Sequence, residues 1–366
     1  MADQSIVMEP AKGRDILAPI ARRAESVVIP VSALLAGLAL FALCLLALGK
    51  SPMEFYGLVY KAGFGTAFSW TNTLSRASPL LFAALCVALP ARLGLVVIGG
   101  EGAIVLGGVA TGALGVWFSG APGVIGLPIM AIGGALTGAI WIGAIGALRH
   151  YRGVNETIAS LLMAYIAIAL MNHLVEGPLR DPASLNKPST APLPDALRVG
   201  NMPGMDVHWG LAVALVCCIV TWVLIERTSW GFAARIAGDN VRAAQVQGLP
   251  VGRLIVGFTA LGGAFAGLAG VFEVAAVHGT ANASLAAGYG YTGILVAFLA
   301  RHNPLAIIPV AILLAGFDAS SGLVQRRMDL PDATMLVLQG IVFVVILLSD
   351  SLYGRIKLFN PERWGV

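Results

Sequence analysis

Charge is scarce in this chain. Asp, Glu, Lys and Arg together make up 11% of its 366 residues, where a soluble domain carries about 25%. Apolar residues reach 58% and the mean hydropathy is +0.85. A soluble protein of this composition could not cover its own surface, so most of the chain belongs in lipid. Disorder, a coiled coil and a secreted disulfide scaffold are excluded by the same figures. Cysteine is scarce too. The four (Cys44, Cys86, Cys217, Cys218) lie inside apolar runs with no C-x-x-C spacing, which indicates neither a zinc site nor a disulfide framework. The five histidines (150, 173, 208, 278, 302) show no metal-ligand spacing, so no metal is expected. The net charge is +4, but its 23 Lys and Arg form no dense basic run. Nucleic acid is not an expected partner; the basic residues report membrane topology instead.

What the chain has in abundance is uncharged runs. Val27–Leu48 is one of 22 residues, enough for a crossing and too long for a signal-peptide core. Successive runs predict ten helices, near 27–48, 74–97, 100–118, 123–148, 156–175, 208–226, 254–277, 289–300, 304–325 and 333–349. Gly120-Ala-Pro-Gly123 splits a run too long for one helix, and 289–300 is short enough to be a broken or half-crossing segment. With the N-terminus inside, fifteen of the 23 Lys and Arg fall on the cytoplasmic side, which favours ten spans and two cytoplasmic termini. The expected organisation is a cytoplasmic N-terminal segment (1–26), a transmembrane domain (27–349) and a cytoplasmic tail (350–366). Within the domain lie a proline-rich outer loop (176–207) and a longer inner loop (226–253).

Glycine is plentiful, 45 in all. Gly108/Gly112, Gly134/Gly138 and Gly263/Gly267 are spaced to let helix backbones approach closely in lipid. Two nucleotide-site mimics fail on context. Gly49-Lys50-Ser51 has Cys44 where a P-loop needs glycine, and Gly288-Tyr-Gly290-Tyr-Thr-Gly293 follows a membrane-edge loop rather than a strand. The latter reads as a flexible entry to a tightly packed helix.

The inner loop carries Arg227, Arg235, Arg242 and Arg253 among small residues. A capped start at Asp239 or Asn240 leads into a short helix bearing Ala243 and Ala244, stopped by Gly248 and Pro250. Small alanines suit a helix seated in a partner's cleft, and flanking arginines such as Arg235 supply charge complementarity.

The Ala-Ala-x-x-x-Gly pattern of this loop resembles the ATPase-docking motif of bacterial ABC importer permeases. The likeness runs from about residue 70 to 349. It includes Gly153-Val-Asn-Glu156-Thr-Ile-Ala-Ser-Leu-Leu-Met163, Gly177-Pro-Leu-Arg-Asp-Pro182, Ala300-Arg-His-Asn-Pro-Leu305 and Gln339-Gly340. It is nearest to the nucleoside and simple-sugar branch of the branched-chain amino acid and ribose permease superfamily. That branch often has Asn-Ile-Gly-x-Glu-Gly-Gln where this chain reads Val97-Ile-Gly-Gly-Glu101-Gly-Ala103, and Ala164 replaces a family Asn. The resemblance implies an all-α integral membrane permease of type II importer architecture in a bacterial inner membrane. It implies two permease subunits, here a homologous second chain, two cytoplasmic ATPases, and a lipoprotein or periplasmic substrate-binding protein. ATP and Mg would sit on the partner ATPase, with no cofactor on this chain. Gly238, Asn240, Ala243, Ala244 and Gly248 would carry the docking role, with Arg235 and Asp239 beside them.

An ionisable group inside a span is a site hypothesis by default. Glu101 and Glu273 qualify, and Trp70, Asn72, Phe272 and Tyr291 could offer a neutral solute an aromatic face or a hydrogen bond. These six are the candidate substrate-path residues. The alternative function is an ion-coupled secondary transporter that uses Glu101 or Glu273 to carry protons. No nucleophile–base constellation supports an intramembrane enzyme.

Overall fold

The computed structural model describes residues 14–331 and 333–350. Among them it is all helical, with no strand beyond two isolated bridges, Ser189 to Asn282 and Asn201 to His208. Most of the 350–366 tail and the first thirteen residues of the N-terminal segment lie outside the described residues.

The chain divides into two compact units. The first holds α1 (Arg14–Ala47) and α13 (Thr334–Asp350). Their pairing follows from apolar residues recurring every three or four positions. Ile29, Ala33, Phe41 and Leu45 are buried on α1, and Met335, Leu338, Val342 and Ile346 on α13. Gly37 stands in the same stripe, where a Cβ would come 3.0 Å from the Val342 backbone. α1 is already helical at Arg14, the first described residue and well ahead of the uncharged run, because a helix needs no apolar residues to continue past the lipid boundary.

The second unit, residues 54–332, holds most of α2 (Pro52–Gly63) and all of α3 (Ala67–Ala91), α4 (Gly100–Trp117), α5 (Gly123–Arg152), α6 (Glu156–Glu176) and α7 (Gly210–Arg227). It continues through α8 (Ser229–Asp239), α9 (Val241–Val246), α10 (Val251–Phe272), α11 (Tyr289–Leu299) and α12 (Pro304–Met328). Helices α3, α4 and α10 are mostly buried, whereas α5, α6 and α7 turn much of their apolar surface outward. That inversion of the soluble pattern suits a lipid surround. Seven helices of the described residues are long and apolar enough to cross a bilayer, and three shorter apolar stretches accompany them.

Helix α10 is the axis, packed most broadly on α5 and also on α3 and α4. The glycines explain how it fits. A Cβ on Gly138 would overlap the Gly263 carbonyl oxygen, and one on Gly267 would overlap that of Gly134. Where lipid tails are as apolar as side chains, close backbone contact and dispersion hold helices together.

Capping residues set several boundaries. Thr66 accepts from Ser69 N at α3 and Asn155 from Thr157 N and Ile158 N at α6. Asn303 caps α12 ahead of Pro304, and left-handed Gly153 ends α5. One end of the unit gathers arginines: Arg92 and Arg235 flank Glu226, and Arg149 pairs with Glu156 at 3.2 Å. At the opposite end the irregular loop 177–209 laces over the end of α10. Leu193 N donates to Gly279 O (2.8 Å) and Val199 N to Ala275 O (2.8 Å).

Candidate functional site

Two regions bear on function. The first is the α7–α10 connection at the arginine-rich end. Thr228 caps α8 by accepting from Gly231 N at 3.2 Å. Asn240, in an extended conformation, ends α8 and caps α9 by accepting from Ala243 N at 3.0 Å. Leu249 N donates back to Ala244 O at 3.0 Å, and the intervening Gly248 has φ +75°. Asn240, Ala243, Ala244 and Gly248 thus build one capped turn of helix.

Its seat on the body is specific. Ala244 is fully buried while Ala243 and Asp239 face out. Gly238 lies against the Arg92 backbone so closely that a Cβ would overlap the Arg92 carbonyl oxygen. Arg235 is 2.9 Å from Glu226, and the same carboxylate lies 3.7 Å from Arg92. Arg92 also donates to the His302 carbonyl at 3.2 Å. Beyond this seat, Trp230, Phe232, Val241 and Val246 are exposed, Val246 at 89%.

The second region is a break deep in the bundle. Glu156, at the arginine-rich end, is eight residues before Ala164 on α6, a rise of about 12 Å. A Cβ on Gly102 would come 2.9 Å from Ala164 Cα, so the start of α4 lies at that depth. Taken with Glu156 at the membrane edge, this would be close to the middle of a hydrocarbon core about 30 Å thick.

Beyond α10 the chain makes a π-helical turn (Glu273–His278) and a left-handed Gly279, then descends alongside α4. A Cβ on Gly112 would meet Ala281 at 2.9 Å, and one on Gly108 would meet Leu285 at 2.8 Å. At Gly288 (φ +86°) the helix α11 begins. Its 11 residues rise only about 16 Å, half a crossing. The sequence marks 289–300 as short for this reason.

A helix start at that depth leaves N–H groups with no water to satisfy them. Glu101 meets them from the neighbouring helix. Gly288 N donates to its Oε1 at 2.7 Å and Gly290 N to its Oε2 at 2.6 Å. The residue is 1% exposed.

The six path candidates do not form one cluster. Glu101 and Tyr291 (38% exposed) meet at the break. Phe272 and Glu273 lie toward the opposite end of α10. There Phe272 stacks on Phe82 (5.6 Å, 8°) and His208 (6.3 Å, 24°), and Glu273 is 3.4 Å from His278. Trp70 and Asn72 are on the first turns of α3. Trp70 meets Phe64 edge-on at 5.3 Å, and Asn72 accepts from Arg76 Nε at 3.3 Å. An apolar cavity of about 360 Å³ opens beside Phe272, lined also by Leu127, Pro128, Val199, Trp209 and Val271.

His208, ahead of α7, is buried, and its Nδ1 accepts from Gly210 N at 3.2 Å. Sequence reasoning did not single out His208, Glu226, Arg92, Gly288 or Gly290 as site residues. Of these only Gly288 and Gly290 left a signal, as letters of a failed nucleotide motif.

Residues 69–347 match the family described as branched-chain amino acid transport system / permease component. The chain belongs to this family. It is 32% identical to a glucose ABC transporter permease protein of Haloferax volcanii, over 88% of this chain and 87% of that one. It is 30% identical to a guanosine ABC transporter permease protein of Bacillus subtilis, over 91% and 95% respectively. A nucleoside ABC transporter permease protein of Lactococcus lactis shares 24% identity over 88% and 91%. The chain is therefore an all-α, multi-pass membrane permease of the ABC class. None of these relatives is named as an ion-coupled carrier, and the comparisons leave the secondary-transporter alternative without support.

Proposed function

We propose that this chain is the transmembrane subunit of an ATP-driven importer for a nucleoside or simple sugar, working beside a homologous second permease. A cytoplasmic ATPase would bind and hydrolyse ATP with Mg. A lipoprotein or periplasmic protein would deliver the solute at the opposite face of a bacterial inner membrane. On this reading the seven long apolar helices and the three shorter apolar stretches would form the membrane domain, and the Lys and Arg bias supports an orientation with the arginine-rich end and both termini in the cytoplasm.

The observation that carries this reading is the α8–α9 seat. Gly238 and Ala244 anchor it to the body, while Trp230, Phe232, Val241 and Val246 are left for a partner. Arg235, Asp239, Asn240, Ala243 and Gly248 frame the contact. Movement of the ATPase would reach the bundle through Arg235, Glu226 and Arg92 and bias it between inward- and outward-open states.

For the path, Trp70 (43% exposed) and Tyr291 already lie at the surface. Glu101, Phe272 and Glu273 are buried and would border solute only in a state that separates their neighbours. The relatives named for glucose, guanosine and nucleosides support a neutral, ring-bearing, hydroxylated substrate. Proteoliposomes holding the chain with its partner permease, ATPase and binding protein test the reading. ATP-dependent uptake of labelled guanosine or glucose is expected. Uptake by this chain alone under a proton gradient would overturn it.

A further inference from the structure

We infer that Glu101 is a positioning residue: from α4 it fixes the start of the half-crossing helix α11, and with it Tyr291, at mid-membrane depth. The inference deepens the transport reading and rests on it for its uptake arm alone.

Both carboxylate oxygens are engaged by backbone, at 2.7 Å to Gly288 N and 2.6 Å to Gly290 N. A side chain so occupied offers little to a passing solute. The partners are 187 and 189 residues away in sequence, so the bonds tie two separate elements rather than finish a local turn. An ionised carboxylate in lipid is costly, and the N-terminal end of a helix is the backbone feature that best offsets it. The fit extends to the backbone. A Cβ on Gly290 would overlap Glu101 N and come 2.6 Å from its Cα. On the other side a Cβ on Gly293 would come 2.5 Å from the Ala83 side chain. α11 is thus clamped between α4 and α3 along its first turn, and Tyr291 projects from that turn to the exposed face.

The clamp explains why irregular backbone is tolerated at this depth. Ala281 N is met by Thr190 Oγ1 (3.0 Å) and Ser284 N by Asn282 Oδ1 (2.9 Å). Gly288 N and Gly290 N have Glu101. Remove the carboxylate and the start of α11 loses acceptors that lipid cannot replace.

Two substitutions separate positioning from direct chemistry. Glu101→Gln keeps the shape but turns an amide N–H₂ toward one of the two donors. Gly290→Ala keeps the carboxylate and wedges the clamp open. Hydrogen–deuterium exchange on the purified chain in nanodiscs reads the result without any partner. Amides of residues 287–292 are expected to exchange about ten-fold faster in both variants, with α7 unchanged. In the reconstituted transporter both variants should lower maximal uptake by a similar factor and leave its pH profile unaltered. Unchanged exchange at 287–292 in Glu101→Gln would overturn the inference. Faster exchange spread equally over α7 would as well, since the bonds would then support the whole fold. So would loss of uptake in Glu101→Gln with full uptake in Gly290→Ala, which would mark the carboxylate as a direct participant. The exchange arm stands even if ATP-driven uptake is never observed.

Discussion

The Arg235 guanidinium lies 2.9 Å from the Glu226 carboxylate, joining the middle of α8 to the end of α7. Glu226 is shared with Arg92 at 3.7 Å, and Arg92 reaches the His302 carbonyl at the far end of α11. The chain of contacts runs from the proposed docking surface to the half-crossing helix. Arg235 and Glu226 are both partly exposed, so the pair is worth less than about 1 kcal/mol in stability. Glu226→Gln should leave the melting temperature within a degree or two but cut uptake several-fold at unchanged ATP hydrolysis. Exchanging the two side chains, E226R with R235E, should restore part of the uptake. A large fall in melting temperature with coupling intact would assign the bridge to stability instead.

The glycine contacts between α5 and α10 predict a stability effect of the opposite kind. Gly263→Leu would drive a side chain into the Gly138 carbonyl and the Ile142 side chain. Over-packing of this sort costs about 1–3 kcal/mol. Thermal unfolding in detergent should show a clear loss for Gly263→Leu and none for Gly257→Ala, whose site is open. Equal melting temperatures would contradict the packing account.

Docking geometry depends on two local devices. Asn240→Ala removes the cap of α9 and should cost about 1 kcal/mol locally, whereas Asn240→Asp should retain it. Gly248→Ala places a Cβ in a left-handed turn, at a cost of about 1–2 kcal/mol. Limited proteolysis of residues 226–253 should speed up in Asn240→Ala and Gly248→Ala and not in Asn240→Asp.

His302 gives a pH dependence of known sign. Burial, reinforced by Arg92, lowers its pKa from 6.5 to about 4. Above pH 6.5 the residue is neutral whether folded or unfolded, and it adds no linkage. As pH falls from 6.5 toward 4 the unfolded chain takes up a proton that the folded chain refuses, so stability declines across that window. His302→Asn should flatten the fall in melting temperature over this range. An identical slope would show that His302 titrates normally.

The sequence displayed the long spans because an uncharged run of about 20 residues has few alternatives. It displayed the glycine seams because small residues at four-residue spacing share a helix face. The capped turn at 240–248 was readable because capping is local. The Glu101 contacts were not readable, since no spacing rule links Glu101 to Gly288 and Gly290. The letters of Gly288, Gly290 and Gly293 signalled a nucleotide motif, yet they serve a left-handed turn and two close contacts. Helix α2 escaped notice because Glu54 and Lys61 interrupt its apolar residues. Of the ten predicted spans, seven correspond to helices of the described residues that are long and apolar enough to cross a bilayer. Apolar runs record lipid exposure and burial alike, and α11 shows that a run need not complete its crossing.

The central claim is that α8 and α9 are the handle by which a separate motor drives this permease. A photo-cross-linker placed at Val246, in membranes holding the whole transporter, tests it most directly. The account predicts one adduct with the nucleotide-hydrolysing subunit, lost when Gly238→Leu unseats the helix. An adduct confined to lipid or to the second permease would contradict it.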